Sequence, residues 1–138
     1  MNFLLDTNVI SEAHKLAGNP NVRAWLSSVN EADLYVSVLV LGEIRQGIER
    51  LRRRDSLQAA ALERWLGGLI RDYADHIVPI TAQVADEWGR LSSNRSLPVI
   101  DGLMAASANV LGFTLVTRNI ADVAGTGVAV INPFDSRR

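Results

Sequence analysis

The sequence predicts an α/β fold, with a central, mainly parallel sheet of four to five short strands flanked by helices on both faces. Two observations carry this. Short apolar or β-branched runs alternate along the chain with longer stretches of helical periodicity, the pattern of strands joined by helical crossovers. With 138 residues, 48% of them apolar and 21% charged, the chain has material for one full core. Residues 1–138 are therefore expected to form a single domain.

Taken in order, Phe3-Leu4-Leu5 is an apolar run that stops at Asp6, a buried strand followed by a turn. Asn8 to Lys15 and Val22 to Val29 read as short helices separated by Asn19-Pro20. Leu34 to Val38 has the branched and aromatic content of a second strand. Leu39 to Arg54 follows as a helix, because Leu41, Ile44, Ile48 and Leu51 share one face. Ser56 to Tyr73 is another, with Leu62, Trp65, Leu66, Leu69, Ile70 and Tyr73 on one wide stripe. That stripe either packs against the sheet or, with the Leu51 helix, forms a groove for a partner helix or a second copy. His76 to Ile80 is a short strand, and Thr81 is placed to cap a helix running to about Leu91. Pro98 opens a helix from Val99 to Leu111, which Gly112 stops. Phe113 to Thr117 is a strand, a polar loop follows, and Val128 to Ile131 is the last strand.

Composition narrows the chemistry. There are no cysteines, which excludes disulfide frameworks, zinc–thiolate sites and thiol catalysis together. The two histidines, His14 and His76, offer little to a histidine-rich metal site or a Ser-His-Asp triad. Fourteen basic residues against fifteen acidic leave a net charge of −1, unlike a general DNA-coating protein, although a local basic patch stays open. The uncharged run from Gly102 to Thr117 is shorter than the roughly 20 residues of a bilayer span. Asp6 stands too early for a secretory apolar region, so a soluble cytoplasmic protein is expected.

The acids fall where such sheets bind ligands, beyond the carboxyl ends of strands. Asp6 follows the first strand, Glu43 lies early in the helix after the second, Asp101 opens the helix before the Phe113 strand, and Asn119 follows that strand. Each has an ordinary structural reading too: Asp6 as a helix N-cap, Asp101 opposing a helix dipole, Glu43 as a solvent-facing charge, Asn119 as a turn residue. Their shared location is what those readings leave unexplained. Gly47, one turn after Glu43, and Ala105 and Ala108 on the Asp101 face keep space clear around the carboxylates. Three carboxylates so close resist ionising unless a cation joins them. Oxygen donors suit Mg²⁺ or Mn²⁺, which can lower the pKa of a bound water and hold phosphodiester oxygens. Thirteen of the fourteen basic residues are arginine, whose planar fork grips phosphate. Arg45, Arg50 and Arg118, near Glu43 and Asn119, are candidate phosphate contacts; the alternative for Arg50 to Arg54 is a solvated helix end.

Four segments then carry a resemblance: Leu5-Asp6-Thr7-Asn8-Val9-Ile10-Ser11-Glu12, Leu41-Gly42-Glu43-Ile44-Arg45-Gln46-Gly47-Ile48, Ile100-Asp101-Gly102-Leu103-Met104-Ala105-Ala106 and Leu115-Val116-Thr117-Arg118-Asn119. With the closing Val130-Ile131-Asn132-Pro133-Phe134, they make the chain resemble the PIN-domain ribonucleases, in particular VapC- and FitB-like toxins of toxin–antitoxin pairs. The resemblance implies a PIN fold and a metal-dependent endoribonuclease. In it, Asp6, Glu43 and Asp101 hold Mg²⁺ or Mn²⁺ and Asn119 completes the site. It also implies RNA as substrate, a small DNA-binding antitoxin as partner, and a homodimer that can enter a larger toxin–antitoxin assembly. At the fourth position many relatives carry aspartate, so either Asn119 serves as a neutral ligand or Asp122 supplies the carboxylate. Val123 stands where many relatives carry an aromatic.

Two rivals lack their motifs. A phosphoacceptor receiver needs a lysine after a late strand, and Lys15 is the sole lysine; a dinucleotide-binding turn needs glycines where Leu5-Asp6-Thr7-Asn8 stands. The remaining alternative is a PIN fold that binds RNA or a partner without cutting.

Overall fold

All five strands lie parallel in one sheet, in the order β3-β2-β1-β4-β5. The computed structural model describes residues 1–93 and 95–135. The chain runs β1 (Phe3–Leu5), α1 (Thr7–His14), α2 (Pro20–Ser28), β2 (Leu34–Ser37), α3 (Val38–Arg52), α4 (Ser56–Asp72) and β3 (Ile77–Val78). It continues through α5 (Ala82–Leu91), α6 (Val99–Leu111), β4 (Thr114–Val116), α7 (Ile120–Val123) and β5 (Val130–Ile131). Single 3-10 turns at Glu31–Asp33 and Ala74–His76 lead into β2 and β3.

Local chemistry explains most boundaries. Asp6, Asn19, Ser37, Asp55 and Thr81 each cap a helix by accepting a backbone N–H. Pro20 occupies the first helical position of α2, where its missing donor costs nothing. The strands are shorter than the apolar runs suggest, because capping claims their ends: Ser37 Oγ accepts from Leu39 N at 3.0 Å, so Val38 opens α3 and does not close β2. The segment after β4, expected as a polar loop, contains the short helix α7, which buries Val123 in the core.

Strand order fixes the position of the site. From β1 the chain steps outward through β2 to β3, then returns past β1 to place β4 on its other side. With right-handed crossovers, α1 to α4 cover one face and α5 to α7 the other, and the main helix contacts divide the same way. The carboxyl ends of β1 and β4, where the winding direction reverses, open the crevice that binds ligands in such sheets. The central strands are buried on both faces: Leu4, Leu5, Val36, Leu115 and Val116 are almost wholly inaccessible. Each such side chain contributes roughly 1.5–3 kcal/mol of burial free energy. On α6, Met104 and the small residues Ala105, Ala106, Ser107 and Ala108 are all buried, so the helix sits close on the sheet. On the opposite layer, α3 and α4 are clamped by a network in which Arg45 and Arg52 both reach Glu49 and Glu63 at 2.8–3.1 Å.

Gly112 ends α6 with φ +71°, and an added Cβ there would meet no atom within 4 Å. Gly112→Ala is therefore expected to cost only the left-handed backbone penalty, about 1–2 kcal/mol. Gly112→Asn is expected to cost less, because Asn tolerates that conformation. Urea unfolding of the two variants measures both.

Candidate active site

Asp6 ends β1 and caps α1, and both roles orient its carboxylate. Oδ1 accepts the Thr7 backbone N–H at 2.7 Å, and Oδ2 accepts the Thr117 hydroxyl at 2.7 Å from the end of β4. The residue is only 6% exposed, a burial a carboxylate tolerates when donors face it. Thr117 in turn accepts the Asn119 backbone N–H at 3.0 Å, and Asn8 Oδ1 accepts that of Arg118 at 3.2 Å. The turn after β4 is thus held directly against the turn after β1.

Around this seam lies an open cleft of about 360 Å³ lined by Asp6, Thr7, Asn8, Glu43, Gln46, Gly47, Arg50, Asp101 and Asn119. Four residues expected to converge, Asp6, Glu43, Asp101 and Asn119, do share it. Glu43 arrives from the first half of α3 and accepts the Thr7 hydroxyl at 2.5 Å. Asp101 comes from the first turn of α6. Asp122, in α7, does not line the cleft, but its carboxyl stands near enough to Asp101 to raise that group's pKa by its charge and by a hydrogen bond. Asn119 and Asp122 therefore hold different places: one at the cleft surface, the other beside Asp101.

The electrostatics follow from crowding. Burial first, then the negative charges of Asp6, Asp122 and Glu43, push the Asp101 carboxyl up to about 6. A hydrogen bond between two carboxyls needs one of them protonated, which agrees with that direction. Every acidic or amide donor in the cleft is an oxygen, the set that suits a hard divalent cation. Among the described residues no three His, Cys, Asp or Glu side chains stand close enough to hold a metal ion by themselves. An open ring of carboxylates fits an ion that keeps several waters, through which part of the ring can hold it, as Mg²⁺ does.

The candidate phosphate contacts separate. Arg50 lines the cleft. Arg45 is not brought there: Glu49 and Glu63 hold it at 2.9 and 2.8 Å on another face of α3. Arg118 lies just outside, its guanidinium 3.9 Å over the Phe134 ring. Phe134 is fixed from the other side, its carbonyl accepting Asn21 Nδ2 at 2.9 Å. Thr7 and Thr117, which orient the acids, read in the sequence as ordinary strand-end residues; their only signal is adjacency to Asp6 and to Arg118-Asn119. Beside the cleft, a larger apolar groove of about 760 Å³ runs between α1, α3 and α4, walled by Ile44, Ile48, Leu51, Leu62 and Trp65. Of the α4 stripe, Leu66 and Leu69 turn into the core, whereas Leu62 and Trp65 stay half-buried in this wall.

Comparison with known proteins agrees with this geometry. Residues 3–121 match the PIN domain family. Toxin FitB of Neisseria gonorrhoeae is 32% identical over 140 aligned positions, covering 96% of this chain and 98% of that protein. VapC ribonuclease Y4jK of Sinorhizobium fredii is 29% identical over 96% of this chain and 98% of its own. The solved structure of FitAB bound to an IR36 DNA fragment superposes with a TM-score of 0.88 at 30% identity, covering 99% of this chain and 98% of the matched one.

The Asp101 shift sets the sign of a pH dependence. Between its ordinary value of 3.8 and about 6, the folded protein keeps a proton that the unfolded chain has lost. Stability therefore falls as pH rises through that window and stays reduced above it. Without divalent cation, Asp101→Asn is expected to be more stable than wild type at pH 7.5 by about 1 kcal/mol after discounting for solvent screening. The gap should close near pH 4, which urea melts at both pH values test. Thr117→Val removes a buried donor from Asp6 and should cost about 1–3 kcal/mol, whereas Thr117→Ser should recover most of it.

Proposed function

Because the chain belongs to the PIN-domain family, we propose that Asp6, Glu43 and Asp101, with Asn119 at the rim, are its catalytic and metal-holding set. The protein is the toxin of a toxin–antitoxin pair and an endoribonuclease dependent on a divalent metal. We take the ion to be Mg²⁺ or Mn²⁺. The observation that carries this reading is the Asp101 carboxyl, held up to about 6 among acids that line one cleft at the switch point of the sheet. The fold retains mutual repulsion there that a bound cation would relieve.

When bound, such an ion lowers the pKa of a water and neutralises the phosphodiester oxygens. The chain's own residues do the positioning. Thr7 and Thr117 fix the rotamers of Glu43 and Asp6 by single hydrogen bonds. Asp122, beside Asp101, helps hold its proton. Asn119 adds a neutral carbonyl oxygen where a fourth carboxylate would raise the repulsion further. Arg50 offers the incoming phosphate a fork of donors from the cleft wall.

Two further assignments support each other. We take residues 1–138 as one PIN domain: the family match ends at 121, yet β5 (Val130–Ile131) continues the same sheet beyond it. Residues 136–138 lie outside the described ones. The partner is an antitoxin, and the protein assembles as a dimer. The apolar lining of the α1, α3 and α4 groove suits an amphipathic helix of that antitoxin. No helix among the described residues is long and apolar enough to cross a membrane. We place the action on RNA in the cytoplasm.

The direct test is incubation of antitoxin-free protein with tRNA, rRNA and mRNA, with Mg²⁺ or Mn²⁺, with and without chelator. Cleavage should need the ion and disappear in Asp6→Asn and Asp101→Asn, while circular dichroism shows both folded. Full activity in either variant, or in chelator, would reject the assigned site; binding without cutting by wild type would favour a non-catalytic module. Calorimetric titration with Mn²⁺ addresses the fourth position. Asn119→Asp should tighten binding about tenfold, equivalent to about 1.4 kcal/mol, and Asn119→Ala should weaken it less than Asp6→Asn does. If Asp122→Asn weakens Mn²⁺ binding while both Asn119 variants are silent, the fourth ligand is Asp122.

A further inference from the structure

The arginines of α3 and of the turn that follows it differ in their partners. Arg45 and Arg52 are saturated by Glu49 and Glu63. Arg50 and Arg54 form no ion pair among the described residues, and both face concave surface: Arg50 the acid cleft, Arg54 the neighbouring groove from the turn after α3. Positions 43, 47 and 50 follow each other at helical spacing of four and three, so they share one face of α3, and Arg54, in the turn that follows, lines the groove that Gly47 also lines. The run begins at the Glu43 carboxylate and ends in two guanidinium groups that pair with no acid among the described residues.

Gly47 sits in the middle of it and lines both the cleft and the groove. Glycine in a helix interior is unfavourable, and nothing in the protein requires it here. A Cβ at Gly47 would meet no atom within 4 Å, and the backbone is helical. Gly42 and Gly89 are equally open, but of these three only Gly47 lines both concave surfaces. The missing side chain at Gly47 makes room for something outside the chain. Its neighbours, an acid that lines the cleft and two guanidinium groups with no acidic partner among the described residues, match a polyanionic strand and not an apolar helix.

We propose that Gly47, Arg50 and Arg54 form the track along which the RNA strand leaves the cleft, its sugar–phosphate backbone crossing α3 at Gly47 and its next phosphates held by the two arginines. This rests on the endoribonuclease reading and gives it a direction: the strand runs from the acids toward the α3–α4 turn. A polypeptide lying in the adjacent groove would cover Arg54, so partner and substrate would exclude each other.

The test uses the non-cutting Asp6→Asn protein as parent and fluorescein-labelled twelve-nucleotide U-only and A-only RNAs in Mg²⁺, over a salt series. Arg50→Gln and Arg54→Gln should each weaken binding of both RNAs about five- to tenfold and reduce the slope of log K against log salt by about 0.7. The double variant should lose about twice that slope. Arg71→Gln, at the end of α4, controls for the loss of one positive charge and should keep the parental slope. Gly47→Ala should raise Tm by about 3 °C, since it gains helix propensity without a clash, yet bind RNA severalfold more weakly. Parental slopes in both arginine variants, or parental affinity in Gly47→Ala, would overturn the track and leave this surface to a polypeptide. Failure of the parent and of wild type to bind any RNA would instead overturn the ribonuclease reading, and the track with it.

Discussion

The two oxygens of the Asp6 carboxylate are held from different parts of the fold: one by the first turn of α1, the other by the Thr117 hydroxyl at the end of β4. That pair of bonds joins the outgoing and returning halves of the sheet at the point where its winding reverses. A capping role and a chemical role are often treated as rival readings of an aspartate after a strand. Here one supports the other, because capping fixes the rotamer and burial keeps it fixed. A carboxylate so placed needs no reorganisation when a cation or phosphate arrives, which is the condition for strong electrostatic help in a site of this kind.

The rest of the architecture makes that seam narrow. The small buried residues of α6 let its first turn bring Asp101 over the end of the sheet, and the Asp101 carboxyl responds by holding its proton to about 6. The fold thus stores unfavourable charge contacts at one place and offsets them with the buried central strands and with the Arg–Glu network that clamps α3 to α4. A site that is strained when empty and relaxed when loaded is a common arrangement where function competes with stability.

Much of this is legible in the chain itself. Asp6, Asn119 and Asp101 each adjoin a clear local signal, a strand end for the first two and a proline-opened helix for the third, and Glu43 lies early in the helix after the second strand, so their convergence follows from the strand–helix alternation. What is not legible depends on contacts between distant residues. Arg45 looks like a phosphate contact beside Glu43, but its partner Glu63 lies eighteen positions on, across a helix hairpin. The four residues of α7 are too few to show a helical period, so they read as loop. Thr117 looks like any β-branched strand residue until its hydroxyl is seen against Asp6. Asn119 and Asp122 both follow the same strand, so the sequence does not tell them apart by position; in space Asn119 lines the cleft and Asp122 stands beside Asp101.

Because all five strands point the same way, the molecule has two ends of different character. The carboxyl ends of the strands lie on the side of the acids, while the segments that lead into the strands, including the 3-10 turns at Glu31–Asp33 and Ala74–His76 and the glycine bends at Gly112, Gly125 and Gly127, lie toward the opposite pole. Length and composition can drift at that pole under no pressure from the chemistry, limited only by the need to re-enter the sheet. For anyone wishing to graft a reporter peptide or a tether onto this scaffold, that end is the handle, and the direction of the strands keeps the cargo a full sheet-length from the acids.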